Sequence, residues 1–101
     1  MEDLKVIVDQ YKALSDENRL AILQLLKNGE QCACVLLEQL DLSQSGLSYH
    51  MKKLVESGIV KERQEGKWVY YRISNQGRSR FMSNFNALTE RKEEDQQVLS
   101  S

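Results

Sequence analysis

Cys32-Ala33-Cys34 holds the only two cysteines of this 101-residue chain, and a pair of thiolates is its sharpest chemical signal. Thiolates are soft donors that suit As(III), Sb(III), Cd(II) and similar thiophilic metal ions, and a place at the start of a helix lowers a thiol's pKa. The plain alternative is that both are small core residues, since free cysteine is often buried. Two residues apart on a regular helix point about 200° away from each other, so one ion cannot be gripped from within a helical turn. That argument puts Cys34 near the N-cap of a short helix and Cys32 in the extended connection before it. A disulfide directly between them would close a small, strained ring. A redox role would therefore run through adducts or pairing across subunits.

The second set of chemistry-bearing residues lies between Leu42 and Ile59. Ser43 is a good N-cap, Leu47, Met51, Leu54 and Val55 recur at helical spacing, and Gly58 stands where a left-handed C-cap belongs. This is one amphipathic helix of about four turns. Its other face carries Gln44, Ser45, Ser48, Tyr49, His50, Lys52 and Lys53 instead of the Glu-Lys pairs of an ordinary solvated surface. Short hydrogen-bonding groups followed by cations suit base edges and phosphates, so the stretch reads as a DNA recognition helix. Gln44, Ser45, Ser48 and Tyr49 are expected to face bases, and His50, Lys52 and Lys53 phosphates. His50, the only histidine, has no second ligand at metal spacing on its face, which favours a phosphate or base contact over ligation. Gly46 inside a helix is either a close approach to the DNA backbone or simply tolerated.

The elements that must position these residues follow from periodicity. Leu4, Ile7, Val8 and Tyr11 mark a first amphipathic helix over residues 3–14. Ser15 caps a second, with Asp16 and Glu17 in its first turn and Leu20, Ile22, Leu23, Leu25 and Leu26 on its buried side; Asn28-Gly29 ends it. After a short connection over residues 30–34, Val35, Leu36, Leu37 and Leu40 form a third helix, and a tight turn leads into the recognition helix. Two helices so joined are a helix-turn-helix. Residues 59–64 and 68–73 then make a β-hairpin whose tip, Glu65-Gly66-Lys67, needs the positive φ of Gly66. A hairpin in that place is a wing, and Lys67 at its tip is a further phosphate contact. Trp68 and Tyr70 alternate with Val69 and Tyr71, so one pair packs inward and the other outward. Asn75 caps a last helix with Phe81, Phe85 and Leu88 at spacings of four and three. The apolar stripes of the first and last helices, Leu4, Val8, Tyr11, Phe81, Phe85 and Leu88, lie outside the helix-turn-helix and together suit a dimer surface.

The fold class is thus mainly α with a β-hairpin wing. One domain is expected over residues 1–92, with a polar, frayed tail over 93–101. The formal net charge is −1, yet residues 43–73 hold six basic and three acidic side chains, whereas residues 1–42 hold four and eight. The positive segment coincides with the DNA-reading one. No apolar run is long enough to span a membrane and no signal pattern opens the chain, so a cytoplasmic protein is expected. Neither a Ser-His-Asp set nor a phosphate loop points to an enzyme, and a thiol oxidoreductase would more often use Cys-x-x-Cys beside a βαβ unit. A small thiol metal carrier is the remaining reading from another class.

Ala13-Leu14-Ser15-Asp16-Glu17-Asn18-Arg19-Leu20, the Cys-Ala-Cys, Leu42-Ser43-Gln44-Ser45, His50, Ser57-Gly58-Ile59-Val60 and Gly66-Lys67-Trp68-Val69-Tyr70-Tyr71-Arg72-Ile73 together resemble the ArsR/SmtB family of winged-helix repressors, over about residues 5–92. The resemblance implies a cytoplasmic homodimer bound to a pseudo-palindromic operator in double-stranded DNA and released by a metal, a metalloid or, in some members, another signal such as an oxidant or thiol-reactive compound. Two departures matter. Arsenic-responsive members of one type have a third cysteine where this chain has Leu37. Members that bind zinc through the last helix need a histidine there, and residues 78–91 contain none.

Overall fold

The computed structural model describes residues 2–91, so the expected tail over residues 93–101 lies outside the described residues. The elements run α1 (Leu4–Leu14), α2 (Glu17–Leu26), β1 (Gln31–Cys32), α3 (Ala33–Gln39), α4 (Gln44–Ser57), β2 (Val60–Glu65), β3 (Trp68–Ile73) and α5 (Asn75–Thr89). This is the expected winged helix-turn-helix order with one addition. β1 pairs antiparallel with β3 and makes the wing a three-stranded sheet of order β1-β3-β2. Two residues are too few to leave a periodic signal, which is why a plain connection was expected there.

Helix starts follow from side-chain acceptors. Asp16, not Ser15, caps α2, its carboxylate accepting from the N–H groups of Asn18 and Arg19. The Ser15 hydroxyl instead donates to the Tyr11 carbonyl at the end of α1. Ser74, not Asn75, caps α5 by accepting from Gly77 N–H. In both pairs the residue nearest the helix has the extended backbone that a cap requires. Ser43 caps α4 through Gly46 N–H, and Gly58, at φ 88°, closes it in the left-handed conformation. The wing tip is tighter than expected: Glu65 pairs with Trp68, which leaves Gly66 and Lys67 as a two-residue turn with Gly66 at φ 61°.

The core lies between α2, α3, α4 and the sheet, where Ile22, Leu26, Leu36, Leu47, Met51, Leu54, Val60 and Tyr71 are buried together. Each fully buried aliphatic side chain there contributes about 1.5–3 kcal/mol over its exposed state. Leu37 and Leu40 pack against this cluster, so α3 braces α4. Leu20 departs from expectation at 50% exposure. Arg19 takes the inward place beside Ile22 and Leu26 instead, on the face that positions 19, 22 and 26 share.

Candidate functional site

Cys32 is both the last residue of β1 and the N-cap of α3, and Cys34 is the second residue of that helix. The expected assignment is thus shifted: the cap is Cys32, and Cys34 stands within the first turn. Because an N-cap residue is extended while its successors are helical, the helical 200° divergence does not apply to this pair. Their sulfurs lie 2.7 Å apart, with Cys34 donating to Cys32. That hydrogen bond, reinforced by backbone N–H groups at Cys34 and Val35, holds the Cys32 thiol below its usual range; the same contact pushes Cys34 up. Of the two, Cys32 is the sulfur that ionises more readily, and the thiolate is the form that captures soft ions and electrophiles. Among the described residues no group of three or more His, Cys, Asp or Glu side chains is placed to hold a metal ion.

A cavity of about 240 Å³ opens beside the cysteines. Its walls include Leu37 of α3, Gln44 and Ser48 of α4, and Lys67 and Trp68 of the wing. No local pattern places the thiols against the proposed DNA-reading residues, because their proximity depends on β1 pairing with β3, which sets Cys32 opposite Tyr70.

Along α4, Gln44, Ser45, Ser48, Tyr49 and Lys52 are exposed, as is Lys67 at the wing tip. Lys53 is half-buried, its Nζ 5.7 Å from the centre of the Tyr49 ring, while Lys67 Nζ lies 5.2 Å from that of Trp68. His50 is placed differently from a free phosphate contact. Its side chain is only 12% exposed, and its Nδ1 accepts from Arg19 Nε at 3.1 Å. Gly46 is close to its own cap, with Ser43 Oγ 3.1 Å from where a Cβ would stand.

On the wing, Val69 and Tyr71 turn inward while Trp68 is exposed. The Tyr71 hydroxyl donates to Glu62 at 3.3 Å, and burial with that carboxylate pushes its pKa up to about 12. Arg63 bridges Glu30 and Glu65 and covers the Tyr70 ring at 4.5 Å. Glu30 immediately precedes β1, so this ion pair ties the cysteine-bearing segment to the wing. Arg63 and Glu30 stand 33 residues apart, so no local pattern pairs them, and the inward place of Arg19 on α2 was not expected from the sequence.

Of the residues expected at a dimer surface, Leu4, Val8, Phe85 and Leu88 are exposed. Tyr11 and Phe81 instead meet edge to face within the protomer, their ring centres 5.0 Å apart. Buried Asn84 donates to Gln10 at 3.2 Å, and Arg80 pairs with Glu2, so α5 lies against α1.

The profile of the bacterial regulatory protein arsR family matches residues 16–62, the helix-turn-helix and the start of the wing. An arsenical resistance operon repressor of Staphylococcus aureus is 43% identical over 76% of this chain and 74% of its own length. A repressor of the same name from Escherichia coli K12 is 47% identical over 66% of this chain and 58% of its own. Among solved structures, the homodimeric winged helix-turn-helix DNA-binding domain of a possible ArsR-family regulator from Mycobacterium bovis superimposes with a TM-score of 0.70 at 28% identity, covering 86% of this chain and 81% of that one. The recognition helix, wing and sequence relationship converge: this chain belongs to the ArsR family of winged helix-turn-helix transcriptional regulators, DNA-binding proteins and not enzymes.

Proposed function

We propose that the protein is a cytoplasmic, homodimeric repressor that leaves its operator when a thiophilic metal or metalloid, As(III) or Sb(III) in first place, is held by Cys32 and Cys34. The observation that carries this reading is the pair of adjacent sulfurs, the Cys32 pKa lowered by the Cys34 hydrogen bond, at the start of the helix that braces the recognition helix. Its relatives' names, arsenical resistance operon repressors, support the same class of effector. Two soft thiolate donors fit such an ion, which when bound would supply a cross-link between β1 and the first turn of α3.

In the repressing state Gln44, Ser45, Ser48 and Tyr49 read base edges in the major groove while Lys52, Lys53 and Lys67 hold phosphates. Leu4, Val8, Phe85 and Leu88 cover one another across the two-fold axis, with Tyr11 and Phe81 behind them. Redirecting the Cys32 and Cys34 side chains strains the β1–α3 junction, and Leu36, Leu37 and Leu40 pass that strain to α4. Gln44, Ser48 and Lys67 share the cysteines' cavity, so whatever occupies it also crowds the DNA-facing side chains. A second reading, release by an oxidant or thiol-reactive compound, is favoured by one feature, the Cys34 hydrogen bond that keeps Cys32 nucleophilic.

A gel-shift titration of the operator complex with As(III), Sb(III), Cd(II), Zn(II) and peroxide tests the proposal. Release by As(III) or Sb(III) at the lowest concentrations supports it. Release by peroxide alone transfers the site to the second reading, and retention with every agent removes both.

A further inference from the structure

Arg19 is a cation with only 8% of its surface exposed, on the inward face of α2. Its guanidinium joins three helices. Nη1 donates to the carbonyls of Lys12 at 3.4 Å and Ala13 at 3.3 Å in the last turn of α1, the Lys12 carbonyl also accepting from the Ser15 N–H at 3.2 Å. Nε donates to His50 Nδ1 in α4 at 3.1 Å. The planar fork makes these bonds at fixed angles, so it sets how α4 lies against the end of α1.

An arginine is always a donor, so His50 Nδ1 has to offer its lone pair, and the imidazole has to be neutral with its proton on Nε2. A protonated ring has no acceptor to offer and sets one cation against another. Asp16 Oδ1, 3.9 Å from the same Nδ1, is the carboxylate that would then accept from its N–H. The other ionisable groups nearby are Tyr49, in ring contact with His50, and Lys53 beside Tyr49; Asp9, Lys12 and Glu56 line the adjoining cavity with Arg19.

We propose that Arg19 is a positioning residue that locks the recognition helix to α1 through neutral His50, and that protonating His50 exchanges Arg19 for Asp16 and loosens DNA binding. The inference rests on the DNA-reading role of α4 and is independent of any effector at the cysteines. It predicts a pH dependence opposite in sign to that of a histidine touching phosphate: a phosphate contact strengthens as the ring gains charge, whereas this lock opens.

The test has two arms on the full chain. Nitrogen-15 spectra of the histidine ring at about pH 8 report the tautomer directly, and the expected form carries its proton on Nε2. A proton on Nδ1 overturns the proposal whatever the DNA does. In the second arm, binding to a duplex selected in vitro on the wild-type protein is compared with a scrambled duplex at constant ionic strength, from about pH 8 to about pH 5.5, the span in which histidines titrate. Wild-type specific binding is expected to fall about tenfold, the worth of one hydrogen bond to a charged group. His50→Asn keeps an acceptor but cannot titrate, so its affinity is expected to stay flat with pH and above that of His50→Leu. Arg19→Lys, which lacks the fork, is expected to be weak at every pH while remaining dimeric in sedimentation. Affinity that rises on acidification, or an equal fall in His50→Asn, overturns the proposal.

Discussion

The two apolar regions of the protein look alike in sequence and differ in where their side chains end up. Between α2, α3, α4 and the sheet, apolar residues from separate elements meet one another, and Ile22, Leu36 and Leu54 have no exposed surface. On α1 and α5 the larger apolar residues Leu4, Val8, Phe85 and Leu88 are 42–60% exposed, and the buried residue of α5 is Asn84. The first region is satisfied within one chain. In the second, the Gln10–Asn84 amide pair, the Tyr11–Phe81 edge contact and the Arg80–Glu2 ion pair hold the helices, and the larger apolar side chains stay exposed. If the proposed dimer uses that surface, stability of the protomer and assembly of the DNA-binding unit are separable.

Phe85→Asp is the strongest way to break that separation. It is expected to yield folded monomers whose operator binding falls by roughly 10²–10⁴-fold, since linkage of two half-site contacts is lost. Sedimentation and circular dichroism check it together: a folded dimer would remove Phe85 from the interface, and an unfolded variant would show the two regions to be one. Leu54→Ala strikes the other region and should cost about 2–5 kcal/mol in denaturant unfolding; a cost below about 1 kcal/mol would mean that this core is not the stabilising one.

Gln44→Ala and Lys53→Ala sharpen the picture on α4. Gln44→Ala should lose about 1–3 kcal/mol against the matched duplex and relax sequence preference, whereas Lys53→Ala should weaken all duplexes alike and flatten the salt dependence. An exchange of these outcomes would reverse the assigned roles. The smallest effect is expected from Arg63→Ala, whose exposed ion pairs with Glu30 and Glu65 are screened by solvent and should leave thermal stability nearly unchanged. Amide exchange at Gln31 and Cys32 should quicken all the same, because the tie between β1 and the wing is gone.

Helices and wing were legible because each rests on local periodicity or a cap: Ser43, Gly58 and Gly66 occupy the roles that their chemistry suggests. Cap choice between neighbours was not, since Ser15 and Asp16 are both good caps and tertiary packing decides between them. Long-range pairings were equally silent. The β1–β3 register, the Arg63–Glu30 ion pair and the Arg19–His50 bond join residues 31–40 positions apart, and no local pattern records them. The cysteines were visible as chemistry, but the wall they share with Gln44, Ser48 and Lys67 exists only in the fold.

If Cys32 and Cys34 couple effector binding to DNA binding, as proposed, the coupling is measurable in both directions. If As(III) lowers operator affinity by some factor, operator DNA must lower As(III) affinity by the same factor. Both factors would be measured for the wild type and for the Cys32→Ser, Cys34→Ser double variant by titration in each order. The account predicts equal factors well above one in the wild type and a factor of one in the double variant, with operator binding otherwise intact. A double variant that As(III) still releases would contradict it.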